Sequence, residues 1–144
     1  MIRAASPADA PDIAAILAAW NRDTVWMPKL HTPAEDLQFA QHLITHCTTR
    51  VLYGPDTLGF LSRAGQQIEA LYLVPAARGK GLGRLLLNEA KAACAELTLY
   101  TFQANLSAQR FYAREGFTEI ARSDGRDNAE QLPDLRLVWR KEPQ

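Results

Sequence analysis

The segment 78–83 reads RGKGLG and runs directly into a helical pattern that continues to about residue 96. A helix N-terminus presents unpaired backbone N–H groups and the positive end of the helix dipole, so this arrangement favours an anion. The glycines leave room for the backbone to approach a phosphate, and Arg78, Lys80 and Arg84 add positive charge beside it. The segment therefore predicts a phosphate-binding loop.

Two widespread nucleotide-binding patterns do not fit this loop. A P-loop requires GxxxxGK followed by Ser or Thr, and neither that spacing nor that hydroxyl follows Gly79. The dinucleotide fingerprint GxGxxG also fails, because the glycines fall at 79, 81 and 83 and no acidic residue lies at the expected distance on a second strand. What remains is Arg78-x-x-Gly81-x-Gly83, which by itself could also be a plain glycine turn with solvated basic side chains.

A second pattern lies one predicted strand downstream of the loop. It reads Asn105-x-x-Ala108-x-x-Phe111-Tyr112-x-x-x-Gly116-Phe117. Together the two patterns resemble the GNAT superfamily of acyl-CoA-dependent N-acyltransferases. The resemblance in motif covers residues 67–120, and the predicted order of elements extends it to nearly the whole chain.

The resemblance implies acetyl-CoA as the acyl donor and no metal. In the family, a (Gln/Arg)-x-x-Gly-x-(Gly/Ala) loop holds the pyrophosphate of CoA on backbone N–H groups, and pantetheine lies against the preceding strand. The N–H of Leu73 would then face the thioester oxygen and stabilise its developing negative charge. Carried over residue by residue, the acetyl-CoA site comprises Leu71, Leu73, Val74, Arg78, Gly79, Lys80, Gly81, Leu82, Gly83, Arg84, Asn105, Phe111 and Tyr112.

The resemblance also implies a catalytic acid. Transfer to an amine by direct attack needs a deprotonated amine, a polarised thioester and a proton donor for the leaving thiolate. The resemblance assigns the donor to Tyr112, whose phenol is protonated at neutral pH. The alternative is that Phe111 and Tyr112 form an aromatic core pair. Neither cysteine is placed as a nucleophile, which favours a ternary complex over a ping-pong reaction.

Three groups are candidates for the catalytic base. Glu69 alternates with Leu71 and Leu73 on a predicted strand, so we expect it on their face, opposite Ile68, Ala70, Tyr72 and Val74. It could take a proton directly or through water, or it could be a cross-strand ion-pair residue. His31, in an aromatic connection between two helices, is the second candidate, and a water chain is the third.

Two connections are expected to shape the acceptor site. Trp26, Met27 and His31 lie in the first, and Asn128 and Glu130 lie in an acidic stretch before the last strand. Alternatively, the residues of the first connection pack in the core, and the acidic stretch is a solvated hairpin. Beside a CoA site, the acidic stretch would favour a cationic amine.

The expected function is transfer of acetyl to a primary amine, with a small-molecule acceptor favoured because the bulky first connection would obstruct a peptide groove. Acetylation of a protein N-terminus or of lysine is an alternative. An alternative of another class is a non-catalytic acyl-CoA-binding regulatory module. The resemblance also allows a homodimer.

The helices and strands that must position these residues can be predicted from the sequence, and their order is typical of an α+β fold. Helix starts are marked by Ser6-Pro7 and by the capping box 32–35, and the period then changes to short β-type runs. The predicted order is strand, two helices, three strands, helix, strand, helix, two strands. Together with this order, the resemblance implies one GNAT domain over 1–144, with a mixed, mostly antiparallel central sheet flanked by helices and a strand–glycine loop–helix site for CoA.

Composition narrows the partners. The 144 residues carry 16 basic and 16 acidic side chains, which argues against global attraction to nucleic acid or an anionic membrane. The charges separate locally, with a basic excess in 78–91 and an acidic excess in 124–134. Cys47 and Cys94 lack metal-ligand spacing. The N-terminus lacks the apolar core of a signal peptide, so we expect a cytoplasmic protein.

Overall fold

In a computed structural model, which describes residues 1–29 and 31–142, the chain forms a mixed sheet flanked by helices. The elements are β1 (Ile2–Ala4), α1 (Ala10–Asp23), α2 (Pro33–His46), β2 (Thr48–Tyr53), β3 (Thr57–Ala64), β4 (Gln67–Leu73), α3 (Leu82–Ala93), β5 (Glu96–Phe102), α4 (Leu106–Arg114), β6 (Thr118–Ser123) and β7 (Asp134–Arg140). The predicted order of helices and strands is confirmed.

The seven strands of the described part of the chain lie in the order β1-β2-β3-β4-β5-β7-β6. Neighbouring strands are antiparallel except for β4 and β5, which are parallel. The connection between β4 and β5 passes through a 3-10 turn, Pro75–Ala77, and α3. The sheet is therefore mixed and mostly antiparallel, as predicted.

The two predicted helix starts differ in outcome. At α2 the capping box is present: the Glu35 N–H donates to Thr32 Oγ1 at 3.2 Å, and the Thr32 N–H donates to Glu35 Oε1 at 3.1 Å. At α1 the signal at Ser6 begins a 3-10 turn, Pro7–Asp9, and the α-helix starts only at Ala10. The cause is Pro11, which has no N–H to bond the Pro7 carbonyl in an α-helical turn.

Two hydrophobic clusters cover opposite faces of the sheet. One joins α3 and α4 to the strands and includes Leu86, Leu87, Leu97, Leu99, Tyr112 and Leu135. The other joins α1 and α2 to the strands and includes Ile13, Leu43, Val51, Phe60 and Ala70. Residues adjacent in a strand, such as Val51 and Leu52, contribute to different clusters because side chains alternate across a sheet.

A β-bulge in β4 breaks this alternation at Glu69. Ser62 pairs with Ala70 and Arg63 pairs with Ile68, so Glu69 is an extra residue without a partner on β3. Ile68 consequently packs in the same cluster as Leu71 and Leu73, and Ala70 packs in the other. The expectation that Ile68 lies on the face opposite Leu71 and Leu73 is therefore wrong.

No described helix is both long and apolar enough to cross a membrane. Cys47 and Cys94 are both free thiols.

Candidate active site

The parallel strands β4 and β5 separate along most of their length. Their described pairing is limited to Gln67 with Thr98, beside a hydrogen bond of 2.9 Å from the Thr98 N–H to the Gln66 carbonyl. Past this point a gap opens toward the carboxyl ends of both strands. Such a gap leaves free the backbone groups that a continuous sheet would pair.

The backbone of Leu73 points into this gap. The Val74 N–H donates to the Leu58 carbonyl at 2.8 Å, which makes Leu73 and Gly59 a non-hydrogen-bonded pair of the antiparallel β3–β4 ladder. In such a pair the N–H and C=O groups turn away from the partner strand. Leu71, two residues earlier, has the same orientation. Both N–H groups are directed at the space between β4 and β5.

The glycine loop reaches the N-terminus of α3 through two left-handed residues. Gly79 has φ of 74° and Gly81, the N-cap residue, has φ of 77°. A Cβ built on either glycine would meet no atom within 4 Å, so open space lies over this stretch of backbone. Gly83 differs, because a Cβ there would lie 3.5 Å from Phe111 and 3.7 Å from Leu73. These are ordinary van der Waals distances, so an alanine would also fit at this position.

Basic side chains beside the loop divide into two groups. Arg78 and Lys80 are exposed and form no ion pair with any described residue. Lys91 instead donates to the Glu115 backbone carbonyl at 2.6 Å, and its ammonium lies over the Trp139 ring. Arg84 lies between these groups, 3.6 Å from the Glu115 carboxylate. Lys91 is thus a structural residue of the basic segment 78–91.

Tyr112 lies against the α3–α4 cluster with 8% of its surface exposed. Its ring makes edge-to-face contacts with Phe111 and Phe117, at centroid distances of 5.1 and 5.2 Å. Burial raises the pKa of Tyr112 above its ordinary value, and the phenol of Tyr72 adds to this effect. Tyr72 packs on the other face of the sheet, so the two phenols interact where the sheet is open.

A cavity of about 320 Å³ opens at the carboxyl end of β5. Its lining residues are Tyr100, Thr101, Phe102, Asn128, Glu130 and Asp134. Four rings connect it to β4, which we call the aromatic row: Tyr72, Trp20, Trp26 and Phe102. Their successive centroid distances are 5.3, 5.9 and 5.7 Å. The row bridges the gap between the two separated strands on the α1 side of the sheet.

Comparison with known proteins places this site in a family. The family model of the acetyltransferase (GNAT) domain matches residues 40–119, more than half of the chain. The chain belongs to the GNAT acetyltransferase family. Peptidyl-lysine N-acetyltransferase YjaB of Escherichia coli K12 is 35% identical over 82 residues, which are 57% of this chain and 56% of YjaB. YjaB of Salmonella typhimurium LT2 is 31% identical over 84 residues, 58% of each protein. These sequence matches thus span little more than half the length of the curated relatives.

Solved GNAT structures extend the likeness in fold to nearly the whole chain. The apo form of Escherichia coli YjaB has a TM-score of 0.80 at 26% identity, covering 96% of this chain and 95% of YjaB. Salmonella typhimurium yncA, solved with its cofactor acetyl-CoA, has a TM-score of 0.72 at 21% identity, covering 100% and 95%. The GNAT fold is confirmed.

The GNAT loop of this chain fits an acyl-CoA pyrophosphate. The space above Gly79 and Gly81 adjoins the first N–H groups of α3, and the charges of Arg78 and Lys80 lie free beside it. These features supply the hydrogen-bond donors and positive charge that a diphosphate requires. Leu82, the first residue of α3, contributes one of those N–H groups and packs its side chain against the α3–α4 cluster.

Asn105 and Phe111 occupy α4, on the opposite side of the gap. Asn105 is the N-cap residue of α4, and its Oδ1 accepts a hydrogen bond of 3.1 Å from the Ala108 N–H. Its Nδ2 donates to no described residue and remains available to a ligand. Phe111 packs near Gly83 and Leu73, so it joins the first turn of α3 to β4.

The two candidate bases, Glu69 and His31, lie apart in the fold. Glu69 is exposed at the bulge, near the closed end of the β4–β5 gap, and accepts a hydrogen bond of 3.3 Å from the Gln67 side chain. His31 is exposed just before α2. The pKa of Glu35 is lowered mainly by its hydrogen bonds with Thr32, and His31 makes a smaller electrostatic contribution. Neither shares a hydrogen bond with Tyr112.

The expected acceptor residues take different roles. Trp26 belongs to the aromatic row, and Glu130 lines the cavity. Met27 is buried, with 7% of its surface exposed, and does not line the cavity. Asn128 lines the cavity, but its side chain holds the loop together: Nδ2 donates to the Leu132 carbonyl at 2.7 Å, and Oδ1 accepts from the Leu132 N–H at 3.2 Å.

Sequence reasoning missed Tyr72, Trp20 and Phe102 as residues of the site. Tyr72 directly precedes Leu73, and alternation along β4 already placed it opposite the Leu73 side chain. Phe102 ends β5, beside the gap. Trp20 had only the signature of an apolar helix face. Its place in the site depends on how α1 packs across the sheet.

Proposed function

We propose that the chain is an N-acetyltransferase that uses acetyl-CoA to acetylate a primary amine by direct attack within a ternary complex. The observation that carries this proposal is the gap between β4 and β5, with the N–H of Leu73 directed into it. The glycine loop lies just beyond the end of β4, and Tyr112 lies on the facing helix. Backbone donor, phosphate loop and proton donor thus surround one opening.

Each residue has a defined part in the proposed reaction. When bound, acetyl-CoA supplies an activated acyl group on a thiol leaving group. The N–H of Leu73 donates to the thioester oxygen as negative charge develops there. The amine nitrogen forms a bond to the carbonyl carbon, the carbon–sulfur bond breaks, and Tyr112 gives its hydroxyl proton to the departing sulfur. The amine proton leaves to a base, for which Glu69, His31 and water remain the candidates.

The raised pKa of Tyr112 is compatible with this role. A phenol with a raised pKa stays protonated at neutral pH and is therefore a constant hydrogen-bond donor. The desolvation that raises the pKa of the phenol also raises that of a thiolate formed beside it, which makes the sulfur a better proton acceptor.

Substitution of Tyr112 by Phe tests the acid. Turnover should fall about 10²–10⁴-fold, the usual effect of removing an acid–base group, whereas acetyl-CoA affinity should persist. The fold should also persist, because Phe keeps both edge-to-face contacts and the hydroxyl bonds to no described residue. Free-thiol release on a panel of amines measures turnover, and calorimetry measures affinity. Unchanged turnover on an accepted amine would remove Tyr112 from the mechanism.

The panel also separates the candidate acceptors. A small-molecule amine is our first proposal, and the alternative is a lysine side chain of a protein, which the names of the YjaB relatives favour. Small alkylamines and lysine-containing peptides therefore belong in the same panel. Acetyl-CoA binding without thiol release on any amine would instead support a non-catalytic acyl-CoA-binding module.

A further inference from the structure

We propose that the cavity at the end of β5 is the acceptor subsite for an alkylammonium chain, with Glu130 as its charge-recognising residue and the aromatic row as its wall. The ligand chemistry is a slender aliphatic chain ending in a primary ammonium, from either a free alkylamine or a lysine side chain. The assignment of the cavity as an acceptor subsite rests on the proposed function. The binding of a cation in the cavity does not depend on that function.

The aromatic row runs between the cavity and the part of β4 where acetyl transfer is proposed. The aromatic row begins at Tyr72, the residue before Leu73 on β4, and ends at Phe102, which lines the cavity. Each ring contacts the next at 5.3–5.9 Å between centroids. A chain lying along this wall therefore runs from the cavity toward the gap where Leu73 directs its N–H.

Among the carboxylates that line the cavity, Glu130 is the one left free for a ligand. Asp134 already accepts hydrogen bonds from Ser123 Oγ at 2.7 Å and from Asn128 Nδ2 at 3.3 Å. Glu130 is half-buried and forms no hydrogen bond or ion pair with the residues that the structure describes. A partly desolvated carboxylate without a cation favours one in the ligand.

The negative charge of Glu130 acts electrostatically on Tyr72, the first residue of the aromatic row. Burial raises the pKa of Tyr72 to about 12, and the negative charge of Glu130 contributes to the increase. Tyr72 therefore stays protonated as a neutral polar group near the carboxylate. The combination of one carboxylate and several ring faces is the chemistry that recognises an organic cation.

One described cation lies beside the cavity. The Arg136 guanidinium lies over the Tyr100 ring, 5.6 Å from its centroid, and so occupies that ring face. The cavity walls together carry two carboxylates, Glu130 and Asp134, against this one guanidinium. The described lining itself contains no basic residue, and the ring faces of Trp26 and Phe102 carry no described cation.

The volume of the cavity is large enough for an aliphatic chain. About 320 Å³ lies at the lower end of the range of small-molecule sites. It accommodates a chain of a few methylene groups with an ammonium head.

Binding measurements without turnover test the subsite. The probes are choline, a small quaternary ammonium, and its neutral carbon isostere 3,3-dimethylbutan-1-ol, each titrated calorimetrically into the full chain. Choline should bind more tightly, and Glu130→Gln should weaken its binding about tenfold while leaving the isostere unchanged. Asp127→Asn is the matched control, because Asp127 is exposed in the same loop and does not line the cavity.

Three results would overturn the subsite. They are equal binding of choline and its isostere, equal weakening by Asp127→Asn and Glu130→Gln, and no binding of choline to the wild-type chain. These experiments measure binding and no acetyl transfer. They therefore test the subsite even if the proposed enzyme activity is not found.

Competition then distinguishes the two sources of the ammonium. Both n-pentylamine and a Gly-Lys-Gly peptide blocked at its termini should displace choline, and the tighter competitor identifies the source. Failure of both to displace choline would overturn the assignment to an acceptor chain.

Discussion

Asp9 connects the first strand to the first helix through a buried charge. The Arg3 guanidinium donates two hydrogen bonds of 2.8 Å to its carboxylate, and the Ser6 N–H donates a third of 2.8 Å. The hydrogen bonds from Arg3 make the largest contribution, and together these bonds lower the pKa of Asp9 to about 2. Because the folded-state pKa is depressed, the stabilisation is complete above the unfolded pKa near 4 and is lost as the pH falls toward 2.

Replacement of Asp9 by Asn should lower the free energy of unfolding at pH 7 by roughly 2 kcal/mol, at 1.36 kcal/mol per pKa unit. The variant should also lose less stability than the wild type between pH 4 and pH 2. Urea titrations at several pH values measure both. Asp56→Asn is the control, because Asp56 is exposed and its side chain makes no hydrogen bond to the described residues. A steep acid dependence retained in the Asp9 variant would contradict the assignment.

At the scale of elements, the loop between β4 and α3 depends on backbone that glycine adopts easily. Gly81 has φ of 77° and Gly65, in the turn between β3 and β4, has φ of 61°. A Cβ at either position would meet nothing within 4 Å. Alanine at each site should therefore cost about 1 kcal/mol of stability through the left-handed backbone alone.

The two alanine variants should differ in ligand binding. Gly81→Ala places a methyl group where we expect the pyrophosphate, so acetyl-CoA affinity should fall at least tenfold. Gly65→Ala should keep wild-type affinity at a similar loss of stability. Thermal denaturation and calorimetric titration with acetyl-CoA measure the two quantities. Equal affinity of both variants would mean that the loop does not hold the phosphates.

At the scale of the whole molecule, the α3–α4 cluster compensates for the weak pairing of β4 with β5. It contains Leu61 from β3 and also Leu97 and Leu135 from beyond the gap, with Leu87 of α3 fully buried among them. The two parts of the sheet are therefore joined through side chains where the strands separate.

Leu87→Ala should destabilise the protein by about 2–5 kcal/mol, as truncation in a packed core does. Unfolding should remain one transition, because the shared cluster couples both parts. Far-UV circular dichroism and tryptophan fluorescence should coincide along a urea titration. The control is Leu85→Ala on the same helix, where the side chain is exposed and the change should be within about 0.5 kcal/mol. Two separated transitions would show that the parts unfold independently.

Local signals explain which parts of the fold and site could be predicted. The capping box of α2, the glycines before α3 and the short β-type runs each depend on neighbours within a few residues. The roles of the loop and of Tyr112 stay predictions, which came from the family resemblance of two short motifs at compatible spacing. These features involve short-range hydrogen bonds and backbone preferences, which residue types within one segment determine.

Contacts between distant segments decided the rest. Ile68 lies on the face of Leu71 and Leu73 because β3 pairs with β4 in a register that leaves Glu69 without a partner. Lys91, at the end of the basic segment 78–91, donates to the Glu115 carbonyl. The cavity at the end of β5 combines that strand with the 128–134 segment, and the aromatic row adds α1 and β4. Register, packing of α1 across the sheet and the width of the β4–β5 gap are set by the total free energy of many long-range contacts, so no single segment specifies them.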